Sequence, residues 1–157
     1  MAVVPLATAL KAKNKRLPKI VIAQPSKPLL ILVLHTTGAD LQILLGSALG
    51  YRCGTWQLGR ELGKYLHSHL SAMMTATPWE TLDAIAVHTG TGSQTGMRIG
   101  LTVAITLAQQ LAIPLYAIAT AASAHELLAI AEAQYNQGVR PAWQSAVASL
   151  SPAPLSL

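Results

Sequence analysis

Phenylalanine is absent from this chain and cysteine occurs once. A lone Cys53 excludes an internal disulfide framework and fits a reducing compartment. It follows Tyr51-Arg52 with no histidine near it in sequence, so nothing marks it as an activated nucleophile. Acid is scarce too: six Asp and Glu stand against eleven Lys and Arg, and charged residues make up only 11%. The six, Asp40, Glu61, Glu80, Asp83, Glu126 and Glu132, include no close-spaced pair for two-carboxylate acid–base chemistry. Long apolar runs are also missing. None approaches the ~20 residues of a membrane-spanning helix. The longest, residues 101–108, holds Thr102 and Thr106 and runs into Gln109-Gln110. The mean hydropathy of +0.42 therefore points to a buried helix of a soluble protein, with no membrane partner.

What charge there is lies unevenly. Lys11, Lys13, Lys15, Arg16, Lys19 and Lys27 give residues 1–27 six positive charges and no negative one. The five remaining basic residues face six acidic ones, so the pI of 9.7 belongs to this arm. Its composition and lack of apolar periodicity predict a disordered segment. A solvated tail, an RNA-attracting arm and a transit peptide all remain open readings. The 157 residues otherwise suit a single domain burying roughly two thirds of its extended-chain surface.

Beyond Pro28 the pattern turns to strands. Residues 29–35, LLILVLH, form the continuous apolar run of a central strand buried on both faces. A turn at 36–40 leads to a second strand over 41–49. Residues 50–54 read as another turn and 55–58 as a short third strand, completing a meander. The spacing of Leu62, Leu66, Leu70 and Met73 predicts a helix over 60–76, stopped by Pro78. His67 and His69 lie on it two residues apart. About 200° of helical rotation separates them, so they cannot hold one metal ion together.

The most informative stretch is 82–122. Residues 83–88 read as a partly buried strand, and the glycine-rich turn Gly90-Thr91-Gly92-Ser93-Gln94-Thr95-Gly96 opens a helix. Ser93 or Thr95 can cap that helix, which runs to about Leu111. Residues 115–120 return as a strand, giving a right-handed crossover between parallel strands. The turn could cradle a phosphate. Its spacing has one residue too many for a dinucleotide fingerprint, and no Lys-Ser/Thr follows as in a P-loop. The simpler reading is glycine permitting a sharp turn and close helix–sheet approach. A third helix is expected over 121–136 with Gly138 as its C-cap. A short one after Pro141 would put Trp143, Val147 and Leu150 on one face.

The segment GTGSQTGMRIG, preceded by LDAIAVHTG and followed by an apolar helix and AIPLYAIAT, resembles the TsaB (YeaZ) signature GPGSFTGLRIG. Gly90, Gly92, Ser93, Thr95, Gly96, Arg98, Ile99 and Gly100 match it; Thr91, Gln94 and Met97 depart. More loosely, the resemblance spans residues 28–128. It implies an α/β fold of actin/RNase H type: a five-stranded mixed sheet, order 3-2-1-4-5, with helices on both faces. It divides the chain into the arm (1–27), a TsaB-like N-terminal lobe (28–138), and a short helix and tail (139–157) too brief for a second lobe. It implies a cytoplasmic, non-catalytic subunit without cofactor, supporting TsaD in threonylcarbamoyl modification of tRNA adenosine 37. Contact with tRNA would be indirect, and a homodimer could form when TsaD is absent. The HxxxH ligand pair of TsaD-like catalytic relatives is missing.

In nucleotide-binding relatives the first strand ends in Asp-Thr-Ser; here it ends in His35-Thr36-Thr37, which argues against a magnesium-nucleotide role. Parallel pairing of the strands ending at His35 and His88 would bring both histidines to the carboxyl edge of the sheet, where open α/β sheets bind ligands. Such a pair could hold a transition metal or anion weakly. The central helix is apolar over most of its circumference: Gly96, Gly100, Ala104 and Ala108 form a small-residue ridge. Met97, Leu101, Ile105 and Leu111 flank it on one side; Ile99, Val103 and Leu107 do so on the other. The resemblance implies a partner surface from Leu62, Leu66 and Leu70 with Met97, Leu101 and Ile105. Two other readings stay open: a degenerate nucleotide- or metal-binding enzyme of the actin-like superfamily, and an inactive truncated homologue.

Overall fold

The computed structural model describes residues 27–150. The basic arm, apart from Lys27, lies outside the described residues. β1 (Ile31–His35) is the axis of the sheet. It pairs antiparallel with β2 (Leu41–Ser47) on one side and parallel with β4 (Ala84–His88) on the other. β3 (Gly50–Trp56) and β5 (Leu115–Ile118) form the edges, giving the order 3-2-1-4-5 that the family resemblance implied.

The continuous apolar run of β1 has the consequence foreseen for it, since Ile31 to Leu34 are all fully buried. Alternation sends Leu32 and Leu34 to one face and Ile31 and Val33 to the other. The first face packs under α1 (Leu62–Met73) and α2 (Gln94–Leu111). The second packs under α3 (Ala124–Asn136), through Ala124, Leu127, Leu128 and Ala131. Helices thus cover both faces of an actin/RNase H-type sheet.

Asp83 fixes the entry to β4. Its carboxylate accepts the Leu30 amide at 2.8 Å and pairs with Lys27 at 3.1 Å, while its own amide donates to the Leu30 carbonyl. Ser123 caps α3 by accepting from the Glu126 amide, and Glu126 reaches back to the Ala122 amide at 2.9 Å. That is the reciprocal arrangement of a capping box, displaced by one residue. Glu132 takes the Ala48 amide at 2.7 Å and ties α3 to the β2–β3 turn. Three of the six carboxylates are therefore committed to holding backbone.

Two expectations need correction. Residues 50–54 are strand rather than turn: β3 starts at Gly50, opposite Ser47, and the connection shrinks to Ala48-Leu49. Glycine weakens a strand interior, but Trp56 lays its indole across Gly54 and stacks on His69 with centroids 4.3 Å apart. This aromatic cover supplies what the glycine lacks. At the other end, Val147 does not join Trp143 and Leu150 on an inner face. The helix there, α4 (Gln144–Val147), is one turn long and passes into a 3-10 turn at Ala148–Leu150, so Ala146 is the buried residue. No helix among the described residues is long and apolar enough to cross a membrane.

Candidate functional site

The glycine-rich turn runs from the end of β4 into α2. Ser93 is the N-cap, its hydroxyl accepting the Gly96 amide at 2.9 Å. Its own amide donates to the Thr37 carbonyl at 2.9 Å, joining the turn to the β1–β2 connection. The glycines face the protein itself. A Cβ at Gly90 would overlap the Ala119 carbonyl, at Gly92 the Thr37 carbonyl, at Gly96 the Thr36 carbonyl and at Gly100 the Thr36 hydroxyl. Gly92 also sits at φ +136°, a conformation that side chains disfavour. Thr36, only 2% exposed, donates to the Gly96 carbonyl at 2.7 Å. The signature spacing is thereby accounted for by helix–sheet approach, as the simpler reading holds. Thr95 and Arg98 are exposed, on the solvent side of α2.

Beside this turn lies a cavity of about 460 Å³. Its wall joins the β1–β2 connection (Thr36, Gly38, Ala39), the entry to α1 (Gly59, Arg60) and the first turn of α2 (Ser93, Thr95, Gly96). Arg60 and the opening of α2 give it positive character. Sequence reasoning did not single out Arg60; a lone arginine at a helix entry carries no spacing signal.

His35 and His88 do meet, on the α3 side of the carboxyl edge. Their rings stack with centroids 4.7 Å apart and planes 10° from parallel. That geometry opposes chelation. A ligated ion lies in the ring plane about 2.0–2.1 Å from nitrogen, and two stacked planes share no such point. Among the described residues no group of three histidine, cysteine or carboxylate side chains is placed to hold a metal. His67 is exposed while His69 packs against Trp56, on separate sides of α1 as the periodicity requires.

The proposed partner residues fall in the core. Leu62, Leu66, Leu70, Met97, Leu101 and Ile105 are each at most 8% exposed and pack together beneath α1 and α2. They cannot form a surface without unfolding the domain. The reason is helix phase: of the two apolar flanks of α2, Met97, Leu101 and Ile105 face the sheet. The half-buried flank is Ile99, Val103 and Leu107. Ile99 lies at ordinary contact distance, 3.5 Å, from where a Gly63 Cβ would stand on α1. Apolar moment gave the strip but not which side of the small-residue ridge the sheet would take.

Comparison with known proteins follows the same lines. The family model described as TsaD, tRNA N6-adenosine threonylcarbamoyltransferase, matches residues 64–141. Among solved structures, YeaZ from Pseudomonas aeruginosa is similar at TM-score 0.56 and 24% identity, over 70% of this chain and 50% of that one. A second, an uncharacterized protein with similarity to peptidase YeaZ from Pseudomonas aeruginosa, matches at TM-score 0.56 and 22% identity, over 69% and 49%. The chain thus spans about half the length of these relatives. No curated protein matches its sequence. The fold is that of the matched half of YeaZ.

Proposed function

We propose that this domain is a non-catalytic, TsaB-like subunit that binds a TsaD-like protein and supports its threonylcarbamoylation of tRNA, acting from the cytoplasm and touching tRNA only through that partner. The similarity to YeaZ and to the TsaD family model supports the tRNA-modification setting. The observation that carries the subunit role is the half-buried strip Ile99, Val103 and Leu107 beside Gly63. A glycine on α1 lets a partner helix approach the α1–α2 groove closely, and the strip offers apolar area to it.

The test is Val103→Arg. Val103 is half-buried on the outer flank, so a long side chain can extend into solvent without entering the core. The domain should keep its melting temperature while affinity for the TsaD-like partner falls at least about tenfold, or ~1.4 kcal/mol. Unchanged affinity would refute this surface. The positive cavity at Arg60 favours a second reading, a residual nucleotide- or phosphate-binding site. Titration with ATP and magnesium separates the two: the subunit reading expects no saturable binding, and saturable binding lost in Arg60→Ala supports the other.

A further inference from the structure

The His35–His88 stack is left over by both readings. His88 is 4% exposed. Its Nδ1 shares a hydrogen with the Thr37 hydroxyl, donating or accepting according to the tautomer. The Thr37 carbonyl in turn accepts from Ser93, the cap of α2. Through Thr37, then, His88 is connected to the first turn of α2. His35 lies flat against His88. Its buried Nδ1 has no hydrogen-bond partner among the described residues. Gly38 and Gly90 close over the two rings: a Cβ at Gly38 would stand 3.4 Å from His35 Cε1, and one at Gly90 would stand 2.8 Å from His88 Nε2. Two imidazoles are thus packed face to face beneath the two glycines.

We propose that this stack is a pH-sensitive latch: neutral, it holds the β1–β2 connection against the glycine-rich turn, and protonated, it releases that edge of the sheet. The released segment includes Thr36, Ser93 and Gly96, which also wall the cavity, so its shape would follow pH. This inference is independent of any partner protein.

Charge on His35 is opposed from two sides: burial penalises the imidazolium, and the His88 ring lies stacked on it at 4.7 Å. His35 is accordingly held below its ordinary 6.5, by burial first and by His88 second. Its own backbone acts in the other direction and is the smallest of the three influences.

Among the described residues, His88 is the one ionisable group that shifts His35. Each candidate on a neighbouring element has another partner or none bearing on the stack. From α3, His125 is turned to Tyr51 of β3, Glu126 to the Ala122 amide and Glu132 to the Ala48 amide. On β3, Arg52 is turned to the Met73 carbonyl on the opposite face of the sheet. On β5, the Tyr116 hydroxyl donates to the Val139 carbonyl. Across the sheet His35 pairs with Gln42 and His88 with Ile118, both uncharged. Asp40, at the far end of the β1–β2 connection, is the carboxylate nearest His35 in sequence and is not among the groups that shift it.

The sign follows from linkage. With the folded value below the unfolded one, the open state takes up the proton first as pH falls. The latch is at full strength above 6.5 and weakens below it, by up to about tenfold per pH unit for one proton.

The experiment is an NMR titration of the full chain from pH 8 to 5, reading the histidine ring protons and amide protection corrected for intrinsic exchange. The expected result is a His35 midpoint below 6.5. Ser93 protection should fall several-fold between pH 7 and 5.5, relative to Leu127 in the core of α3. In His35→Phe, which keeps a flat ring on His88 but takes no proton, the relative change at Ser93 should vanish. A His35 midpoint at or above 6.5 overturns the proposal. So does Ser93 protection that stays level with Leu127, or that changes equally in His35→Phe. Should that variant fail to fold, the wild-type midpoint and the Ser93-to-Leu127 ratio decide the matter alone.

Discussion

Gly63 and Gly96 both lie in the first turn of a helix, and the same substitution should move stability in opposite directions at the two. Replacing glycine by alanine in a helix gains up to about 1 kcal/mol from lost chain freedom and better propensity. At Gly63 nothing opposes that gain, since the nearest foreign atom is the Ile99 methyl at 3.5 Å, an ordinary contact. Gly63→Ala should stabilise by about 0.4–1 kcal/mol. At Gly96 the new methyl would run into the Thr36 carbonyl, which is backbone of the β1–β2 connection and cannot rotate away. Overpacking costs roughly 1–3 kcal/mol, so a net loss of about 1–2 kcal/mol remains after the helical gain. Urea melts of both variants measure this directly: the midpoint should rise for Gly63→Ala and fall for Gly96→Ala, with unchanged m. At about 2–4 °C per kcal/mol the thermal midpoints should differ by roughly 3–12 °C. A Gly96→Ala protein as stable as wild type would show that helix and connection are not in contact, and the packing account of the signature would fail.

Leu66, 2% exposed beneath α1, should lose about 2–5 kcal/mol as Leu66→Ala, read from a urea melt; a near-neutral result would put it on the surface after all. Ala112 ends α2 in the left-handed region at φ 55°, where a side chain costs roughly 1–2 kcal/mol. Ala112→Gly should therefore raise the thermal midpoint slightly, its gain reduced by the freer unfolded chain. Ser93→Ala removes the α2 cap and should cost about 1 kcal/mol, with Gly96 amide exchange as the local readout. Removing residues 1–26 should leave the melting temperature unchanged, because that stretch carries like charges and no regular apolar spacing to offset the cost of ordering it; a drop of several degrees would refute this. Removing Lys27 as well should cost at most about 1 kcal/mol, since its pair with Asp83 is partly exposed.

The strand order came from the family resemblance, while the central strand and the parallel crossover were legible because their signals are local or follow from connection rules. A continuous apolar run made β1 central, and the strand–turn–helix–strand unit required parallel pairing. The β3 boundary was not legible. Gly50 and Gly54 look like turn residues in sequence, and the ring of Trp56 that covers Gly54 is a contact no periodicity reports. The partner surface was missed for a related reason. Residues 97, 101 and 105 and residues 99, 103 and 107 are equally apolar. What puts the first set inward is the close approach of Gly96 and Gly100 to Thr36, across sixty residues of chain. The histidine pair was half legible: parallel register brought the rings to one edge, but their stacking depends on the turn closing over them.

The position of β1 between an antiparallel and a parallel neighbour also divides the route by which the chain can fold. Its partner in β2 is separated from it by a short connection, Leu34 opposite Ile43, so the meander can zip from its turns within microseconds. Its partner in β4 is Ile31 opposite Ala84, which demands closure of a much longer loop and the concurrent arrival of α1. Each doubling of loop length adds only about 0.6 kcal/mol to closure, yet that cost falls before any native contact rewards it. The parallel half should therefore be the late half. Until β4 arrives, one flank of the most apolar strand in the molecule stands open, and a nascent meander on its own would present that flank to any other extended chain.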